Sequence, residues 1–195
     1  MKTHYAVFVV VVAMIFGSSC RNDNSDVHAA ANAGVIKSAP TIESELAAFR
    51  SDMTVAPRSL VGAPTRDSLV RLFQNALASN DSTALKRLEI TREQFAYLYY
   101  PESKLARPPY ELNPQTMWMQ IDAQRQRGLR LLLARYGGRK LKVRGLECRQ
   151  PERENAVVIH QCLVVTSDAA TPMQLFGSIL ERDDQFKFVG YANRL

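Results

Sequence analysis

Apolar side chains recur every three or four residues over several stretches between residues 65 and 136, a spacing that predicts helices. A polar residue able to cap the first helical turn stands before each stretch: Thr65, Asp81, Thr91 and Asn113. Thr91 is followed three residues later by Gln94, which predicts a capping box. The pattern therefore predicts a helix after Thr65, then helices over 82–88, 92–100 and 114–136.

β-branched and alternating apolar residues dominate the remainder of the chain. The predicted strands cover residues 140–148, 156–166, 173–181 and 185–191. Helices followed by strands are typical of α+β folds, because strands that follow one another directly pair antiparallel. The sequence thus predicts N-terminal helices packed on a curved antiparallel sheet of about four strands.

The first twenty residues have the layout of an export signal. A short basic start precedes an apolar run over residues 6–16, and Gly17, Ser18 and Ser19 lead to Cys20. The run is shorter than the roughly 20 residues that a membrane-spanning helix needs. The segment resembles a bacterial lipoprotein signal, although Gly17 stands where Leu, Val or Ile is usual. The resemblance implies that Cys20 carries lipid, including palmitate, and anchors the mature protein in the cell envelope.

Residues 21–60 are poor in large apolar side chains, so we expect a flexible tether between the lipid and a folded domain, with one short helix possible over residues 41–50. The predicted organisation is a signal peptide over 1–19, a tether over 20–60 and one α+β domain over 61–195. Arg21 follows the lipidated cysteine, whereas aspartate there usually retains lipoproteins in the inner membrane. The resemblance therefore implies an outer-membrane protein that faces the periplasm.

Loss of the signal leaves 24 basic and 19 acidic residues, a modest net charge of +5. An exported chain rarely meets nucleic acid, and no nucleic-acid partner is expected. The basic residues concentrate between residues 125 and 149, a stretch whose one acidic residue is Glu147. They are Arg125, Arg127, Arg130, Arg135, Arg139, Lys140, Lys142, Arg144 and Arg149. This stretch is either a surface for anionic lipid or polysaccharide or a solvated helix face followed by an edge strand. We favour the solvated face.

Cys148 and Cys162 are equidistant from Asn155, the centre of a predicted turn. They would then face each other across two strands, where a disulfide is geometrically possible. The alternative is a pair of free, buried cysteines. The chain has no CxxC and no zinc-ligand spacing, so neither a metal nor another cofactor is predicted.

The long predicted helix places Asp122 and Arg125 in the middle of an apolar face that also holds Trp118 and Tyr136. One interpretation is a ligand pocket with two aromatic walls, in which burial raises the pKa of Asp122 and suits it to acid–base catalysis. The other is a structural ion pair between residues three positions apart. We favour the ion pair.

The other candidate residues are expected to have structural roles. The aromatic cluster Phe95, Tyr97, Tyr99 and Tyr100 is expected to be core, with Tyr97 and Tyr100 partly exposed. His160 lies in a predicted strand without a carboxylate at a diagnostic spacing. No nucleophile elbow or phosphate-binding loop occurs, which argues against an enzyme.

Two segments extend the interpretation by resemblance. Residues 73–81 and 186–191 resemble the first helix and the last strand of the cone-shaped nuclear transport factor 2-like, SnoaL-like superfamily. That superfamily includes isomerases, ligand-binding domains and homodimers that associate through the sheet face. The expected function is accordingly non-catalytic binding of a small apolar ligand or a protein; the alternatives are an isomerase or hydratase around Asp122 and a basic envelope adaptor.

Overall fold

Helices precede strands throughout the computed structural model, which describes residues 39–195. These residues form one compact unit from Ala39 to Leu195. The predicted signal peptide, Cys20 and the first part of the tether lie outside the described residues. Among the described helices, none is long and apolar enough to cross a membrane.

The helices begin at the polar residues that the sequence pattern singled out. Each of Thr65, Asp81, Thr91 and Asn113 accepts a hydrogen bond from a backbone N–H in the first turn of the helix it precedes. Thr41 does the same for the short helix foreseen within the tether segment. The helices are α1 (Ile42–Arg50), α2 (Arg66–Ala78), α3 (Ser82–Arg87), α4 (Arg92–Gln94) and α5 (Pro114–Tyr136).

The helix predicted over 92–100 is regular only in its first turn. After α4 the chain widens into a π-helical turn over Phe95–Tyr99, where the N–H of Tyr100 donates to the carbonyl of Phe95. Pro101 follows and has no N–H to continue an α-helix. The segment therefore ends in a short 3-10 turn, Tyr100–Glu102.

The strands form one antiparallel sheet, which confirms the predicted α+β class. They are β1 (Val143–Cys148), β2 (Glu152–Glu154), β3 (Val157–Thr166), β4 (Ser178–Arg182) and β5 (Gln185–Phe188). The order is β1-β3-β4-β5, and β2 pairs with the beginning of β3. β1 and β2 share one edge of β3 and are separated by Pro151, which cannot donate a ladder hydrogen bond. β2 lies in the polar stretch that was expected to form the turn after the first strand, which gives five strands instead of about four.

The opposite edge of the sheet, β5, is covered by two irregular segments. Ala63, which precedes α2, exchanges two hydrogen bonds with Phe186, and Ile90 donates to the carbonyl of Phe188. The N–H of Phe188 in turn donates to the carbonyl of Leu88. Coverage of this edge leaves β1 and β2 as the uncovered side of the sheet.

Two hydrophobic cores lie on the two faces of the sheet. The first joins α2, α3 and the second half of α5 to one face through Phe73, Leu132, Val164 and Phe188, among others. The second joins α1, the π-helical turn and the first half of α5 to the other face; it includes Phe49, Leu60, Phe95, Trp118, Val157, Ile159 and Leu180. Among the described helices, α5 is the one that packs into both cores.

The folded domain begins before residue 61. Phe49 on α1 retains 4% of its exposure and Leu60 retains 1%, so both are core residues. The segment counted as tether therefore contributes a helix to the second core. The segment was expected to be a flexible tether because few of its side chains are apolar. Those few, including Phe49, face inward and are enough to pack the helix on the core.

A glycine lets α5 lie against the end of the sheet. A Cβ atom at Gly128 would lie 2.3 Å from the carbonyl oxygen of Tyr191, far inside contact distance. The obstructing atom belongs to the backbone, so a Cβ atom at Gly128 could be accommodated only if the helix or the chain around Tyr191 moved.

We therefore expect Gly128→Ala to lower the free energy of unfolding by about 1–3 kcal/mol. Alanine in an unobstructed helix would instead stabilise it by up to about 1 kcal/mol, so the sign of the change is diagnostic. Urea denaturation followed by circular dichroism measures it. The matched control is Gly145→Ala, where a Cβ atom meets nothing within 4 Å; we expect a change within about 0.5 kcal/mol. Equal effects of the two substitutions would contradict the proposed contact.

Candidate functional site

Arg125 is the centre of the polar site on α5. Its Nη1 lies 3.4 Å from Oδ1 of Asp122, three residues earlier. Its Nη2 lies 3.3 Å from Oε2 of Glu89, which follows α3. The structure thus brings together the two charged residues that the helix periodicity singled out and adds a second carboxylate. We call Glu89, Asp122 and Arg125 the Arg125 cluster.

Glu89 is the residue that sequence analysis missed. It keeps 2% of its exposure, and its Oε1 is buried without a hydrogen-bond partner among the described residues. Burial raises the pKa of this carboxyl to about 7, and the attraction to Arg125 opposes the rise without cancelling it. In sequence Glu89 stands between Leu88 and Ile90. A charged residue within an apolar run was the available signal, but nothing in the pattern predicted its partner.

A buried lysine lies on the other side of Glu89. Nζ of Lys187 on β5 donates to the backbone carbonyl of Glu89 at 3.0 Å and to Oε1 of Gln94 at 3.2 Å. Burial lowers the pKa of Lys187 to about 8, and the nearby charge of Arg125 acts in the same direction. Two ionisable groups with strongly shifted pKa values therefore lie next to one arginine, a combination found at functional sites and in structural networks alike.

The two aromatic residues predicted as pocket walls lie in different cores. Trp118 packs on Phe95 with 5.2 Å between ring centroids, and the guanidinium of Arg125 lies 5.2 Å from its ring. Tyr136 is 18 residues further along α5, about 27 Å away, and its hydroxyl lies 3.8 Å from Sδ of Met173. The residues predicted from the helix face therefore do not line one common pocket, because that face is divided between the two sides of the sheet.

The Arg125 cluster adjoins a cleft of about 400 Å³ that Glu89, Asp122 and Arg125 line together with Lys86, Gln126, Leu129 and Arg130. Asp122 retains 38% of its side-chain exposure, and it accepts hydrogen bonds from Gln126 as well as from Arg125. The buried carboxyl with a raised pKa is thus Glu89, at the inner wall of the cleft.

A second cleft, of about 370 Å³, lies on the other side of Arg125, between α5 and the end of the chain. We call it the Gly190 cleft; its lining residues are Ile121, Gln124, Arg125, Gln174, Gly177, Ser178, Val189, Gly190, Tyr191, Ala192, Asn193 and Arg194. Gly190 permits this geometry, because a Cβ atom there would lie 2.8 Å from Cγ of Arg125. Among the described residues that line it, none is acidic. Oδ1 of Asn193 is buried and has no partner in the described part of the chain.

The Gly190 cleft continues into a groove of about 620 Å³ beside the two cysteines, which we call the disulfide groove. Gln174, Gly177 and Ser178 line both. The register pairs Cys148 with Cys162, and the structure joins them in a disulfide with 4.0 Å between the Cα atoms. Leu163, 38% exposed, also lines the groove. An uncovered part of one sheet face thus lies next to the Gly190 cleft.

The remaining candidates have structural surroundings. His160 on β3 bonds through Nε2 to Oε2 of Glu181 on β4, a carboxylate that sequence spacing could not reveal because it lies on a neighbouring strand. Tyr100, expected to be partly exposed, is completely buried and donates its hydroxyl to the carbonyl of Leu112 at 2.6 Å. Phe95 contacts Tyr99 as predicted. Within residues 39–195 no group of three His, Cys, Asp or Glu side chains could hold a metal ion.

No protein-family model, curated protein or solved structure matches this chain. The geometry of the described residues is therefore the basis for a functional proposal.

The raised pKa of Glu89 makes stability depend on pH. Between about pH 4.5, the usual value, and pH 7 the folded state keeps a proton that the unfolded chain releases, so the free energy of unfolding falls as pH rises. The amide that Glu89→Gln introduces cannot titrate. We expect the stability of this variant relative to the unaltered chain to rise by about 3 kcal/mol between pH 4 and pH 8.

Urea denaturation at several pH values measures this difference, and subtraction removes the contribution of groups that do not interact with Glu89. Asp122→Asn is the matched control, since it removes the more exposed carboxylate from the same arginine. A stability difference for Glu89→Gln that stays constant with pH would contradict the buried position of Glu89.

Proposed function

We propose that this protein is an exported, lipid-anchored envelope protein whose folded domain binds a small polar anion without transforming it. The anchor is Cys20, and Arg21 favours the periplasmic face of the outer membrane. The proposed ligand site is the Gly190 cleft. The supporting observation is its lining, in which hydrogen-bond donors and two arginines surround a space of about 370 Å³ without a carboxylate among the described lining residues.

The size and chemistry of the cleft favour a particular class of ligand. Small-molecule sites usually occupy about 300–1,000 Å³, so the cleft can hold a molecule the size of one sugar ring. Gln124, Gln174 and Asn193 offer amide groups that both donate to and accept from hydroxyls. Arg194 supplies an exposed guanidinium for a carboxylate. We therefore propose a sugar acid or a similar hydroxylated carboxylate instead of the apolar ligand that the sequence suggested.

Binding without catalysis is supported by the kinds of side chain in the cleft. Apart from the phenol of Tyr191, which is bonded to the carbonyl of Leu85, its described lining contains one hydroxyl, Ser178. That lining has no histidine, cysteine or carboxylate that could activate the serine. Arg125 is held by two carboxylates and by packing against Gly190, which makes it a rigid wall.

An enzyme remains the second candidate, favoured by one observation. Glu89, with a pKa of about 7, is suited to act as a general acid or base near neutral pH. It lies at the cleft on the Asp122 side of Arg125, the region where the resemblance to the SnoaL-like superfamily implied an isomerase or hydratase. That family assignment also remains a proposal, supported by the order of helices before an antiparallel sheet.

The anchor is tested by Cys20→Ser in the full chain expressed in a bacterial host with two membranes. We expect the unaltered protein to fractionate with outer membranes and the variant to move to the soluble periplasmic fraction. Ser19→Ala, which keeps a small residue before the cysteine, is the control and should remain membrane-bound. A Cys20→Ser protein that stays with the membranes would refute lipid attachment at Cys20.

Ligand binding is tested by titration with glucuronate, with glucose as the uncharged comparison. Side-chain amide signals of Gln124, Gln174 and Asn193 are followed by nuclear magnetic resonance in ¹⁵N-labelled protein. We expect these signals to shift with glucuronate and to shift much less with glucose, because only glucuronate pairs with the guanidinium of Arg194.

A variant that fills the cleft tests whether the glucuronate-induced signal shifts arise from binding there. Gly177 lines the Gly190 cleft, and a Cβ atom there would make only one ordinary contact, 3.5 Å from the carbonyl oxygen of Gly190. Gly177→Leu should fill the cleft and lower the affinity at least about tenfold, while Gly145→Leu, at an open strand position outside the cleft lining, should leave it unchanged. Cleft signals unmoved by glucuronate, or binding that survives Gly177→Leu, would rule out this ligand site.

A further inference from the structure

The outward side of the second half of α5 carries a row of arginines around one exposed leucine. Arg127, Leu131 and Arg135 are spaced four residues apart and therefore follow one another along the helix surface, with Arg130 beside them. All three arginines are exposed, and Leu131 retains 37% of its exposure. The inward side of the same half-helix is buried in the first core through Leu129 and Leu132. The row is thus a fixed surface on a packed helix.

Two further cations widen this row. Arg194 lines a surface cleft together with Arg127, and Lys86 lines the cleft that Arg130 also borders. Both are exposed. We call Lys86, Arg127, Arg130, Arg135 and Arg194 the cationic face.

The charges of the cationic face are not neutralised within the described domain. The ion pairs formed by residues 39–195 involve none of its five side chains. Two carboxylates beside it, Glu89 and Asp122, are paired with Arg125. Five unpaired cations close together produce a positive potential that attracts a negatively charged surface.

The chemistry of the face fits a lipid surface better than a protein or nucleic acid. Leu131 stands in the middle of the arginines and can contact the acyl boundary, while arginine stems cover apolar surface and leave their guanidinium groups at phosphate level. Ala123 and Ala134 keep the rest of this side flat. No aromatic residue of the face offers the stacking platform that single-stranded nucleic acid requires.

We propose that the cationic face docks on the headgroups of an anionic phospholipid bilayer. The proposal shares Arg194 with the Gly190 cleft, but it is carried by the α5 arginines of the cationic face, which do not line that cleft. It draws on the proposed anchor in one respect, since a lipid at Cys20 would keep the face at high local concentration near a bilayer. The chain from Cys20 to Ala39 can span at most roughly 65 Å, enough to let this side of the domain turn toward the membrane. Docking places the outward side of α5 against the bilayer, with the Gly190 cleft beside the surface.

The experiment uses the chain from residue 20 with Cys20→Ser, which lacks the proposed lipid and retains every described residue. Co-sedimentation is measured with phosphatidylcholine vesicles and with vesicles containing about one-third phosphatidylglycerol. We expect binding only to the anionic vesicles and a steep loss between about 0.05 M and 0.3 M salt, because salt screens exposed charges. Each arginine contributes about fivefold in partition coefficient, so R127Q/R130Q/R135Q should bind about 100-fold more weakly.

The control variant R58Q/R71Q/R153Q removes three exposed arginines elsewhere and has the same net charge. It should bind within about threefold of the unaltered chain, and circular dichroism should show both variants folded. Equal losses of vesicle binding in the two variants would show that binding depends only on net charge, and this would overturn the proposal. Absence of binding to the anionic vesicles, or equal binding to neutral ones, would also overturn it, and neither result depends on whether Cys20 is lipidated or the cleft binds glucuronate.

Discussion

The position of α5 is the constraint on which the rest of the structure depends. Of the helices within residues 39–195, this one packs into both hydrophobic cores, and it passes the end of the sheet at Gly128, in contact with the backbone of Tyr191. The same close approach is repeated one turn earlier, where Arg125 lies against Gly190. The path of the helix therefore determines where the Arg125 cluster lies and which clefts open on either side of it.

Burial of charge at this junction has chemical consequences. Glu89, Arg125 and Lys187 would be costly to bury separately, and their contacts offset part of that cost. The part of the burial cost that these contacts do not offset raises the pKa of Glu89 and lowers the pKa of Lys187. Arg125 is consequently more constrained than a surface arginine. On the outward side of α5 the charges are exposed and form no ion pair within residues 39–195, so one helix combines a rigid polar wall with a surface suited to an anionic partner.

Local signals in the sequence predicted most of the elements. The caps at Thr65, Asp81, Thr91 and Asn113 and the antiparallel strands could be foreseen because each depends on residues close in sequence. The contact of Asp122 with Arg125 was foreseeable for the same reason. Glu89, Lys187 and Glu181 could not be assigned, because their partners lie on other elements and only the tertiary fold brings them together. The pocket interpretation, which was the less favoured of the two, also required Trp118 and Tyr136 to lie together. The structure places them in different cores, because α5 packs against both faces of the sheet.

A crystal structure of the protein grown with glucuronate tests the central claim, binding of a small polar anion beside α5, most directly. We predict that the carboxylate of the ligand lies within hydrogen-bond distance of Arg194 and that its hydroxyls contact the amides of Gln174 and Asn193. Arg125 should keep its contacts with Glu89 and Asp122, since it serves as a fixed wall. A Gly190 cleft filled by its own side chains, or glucuronate bound only at another surface, would contradict the claim.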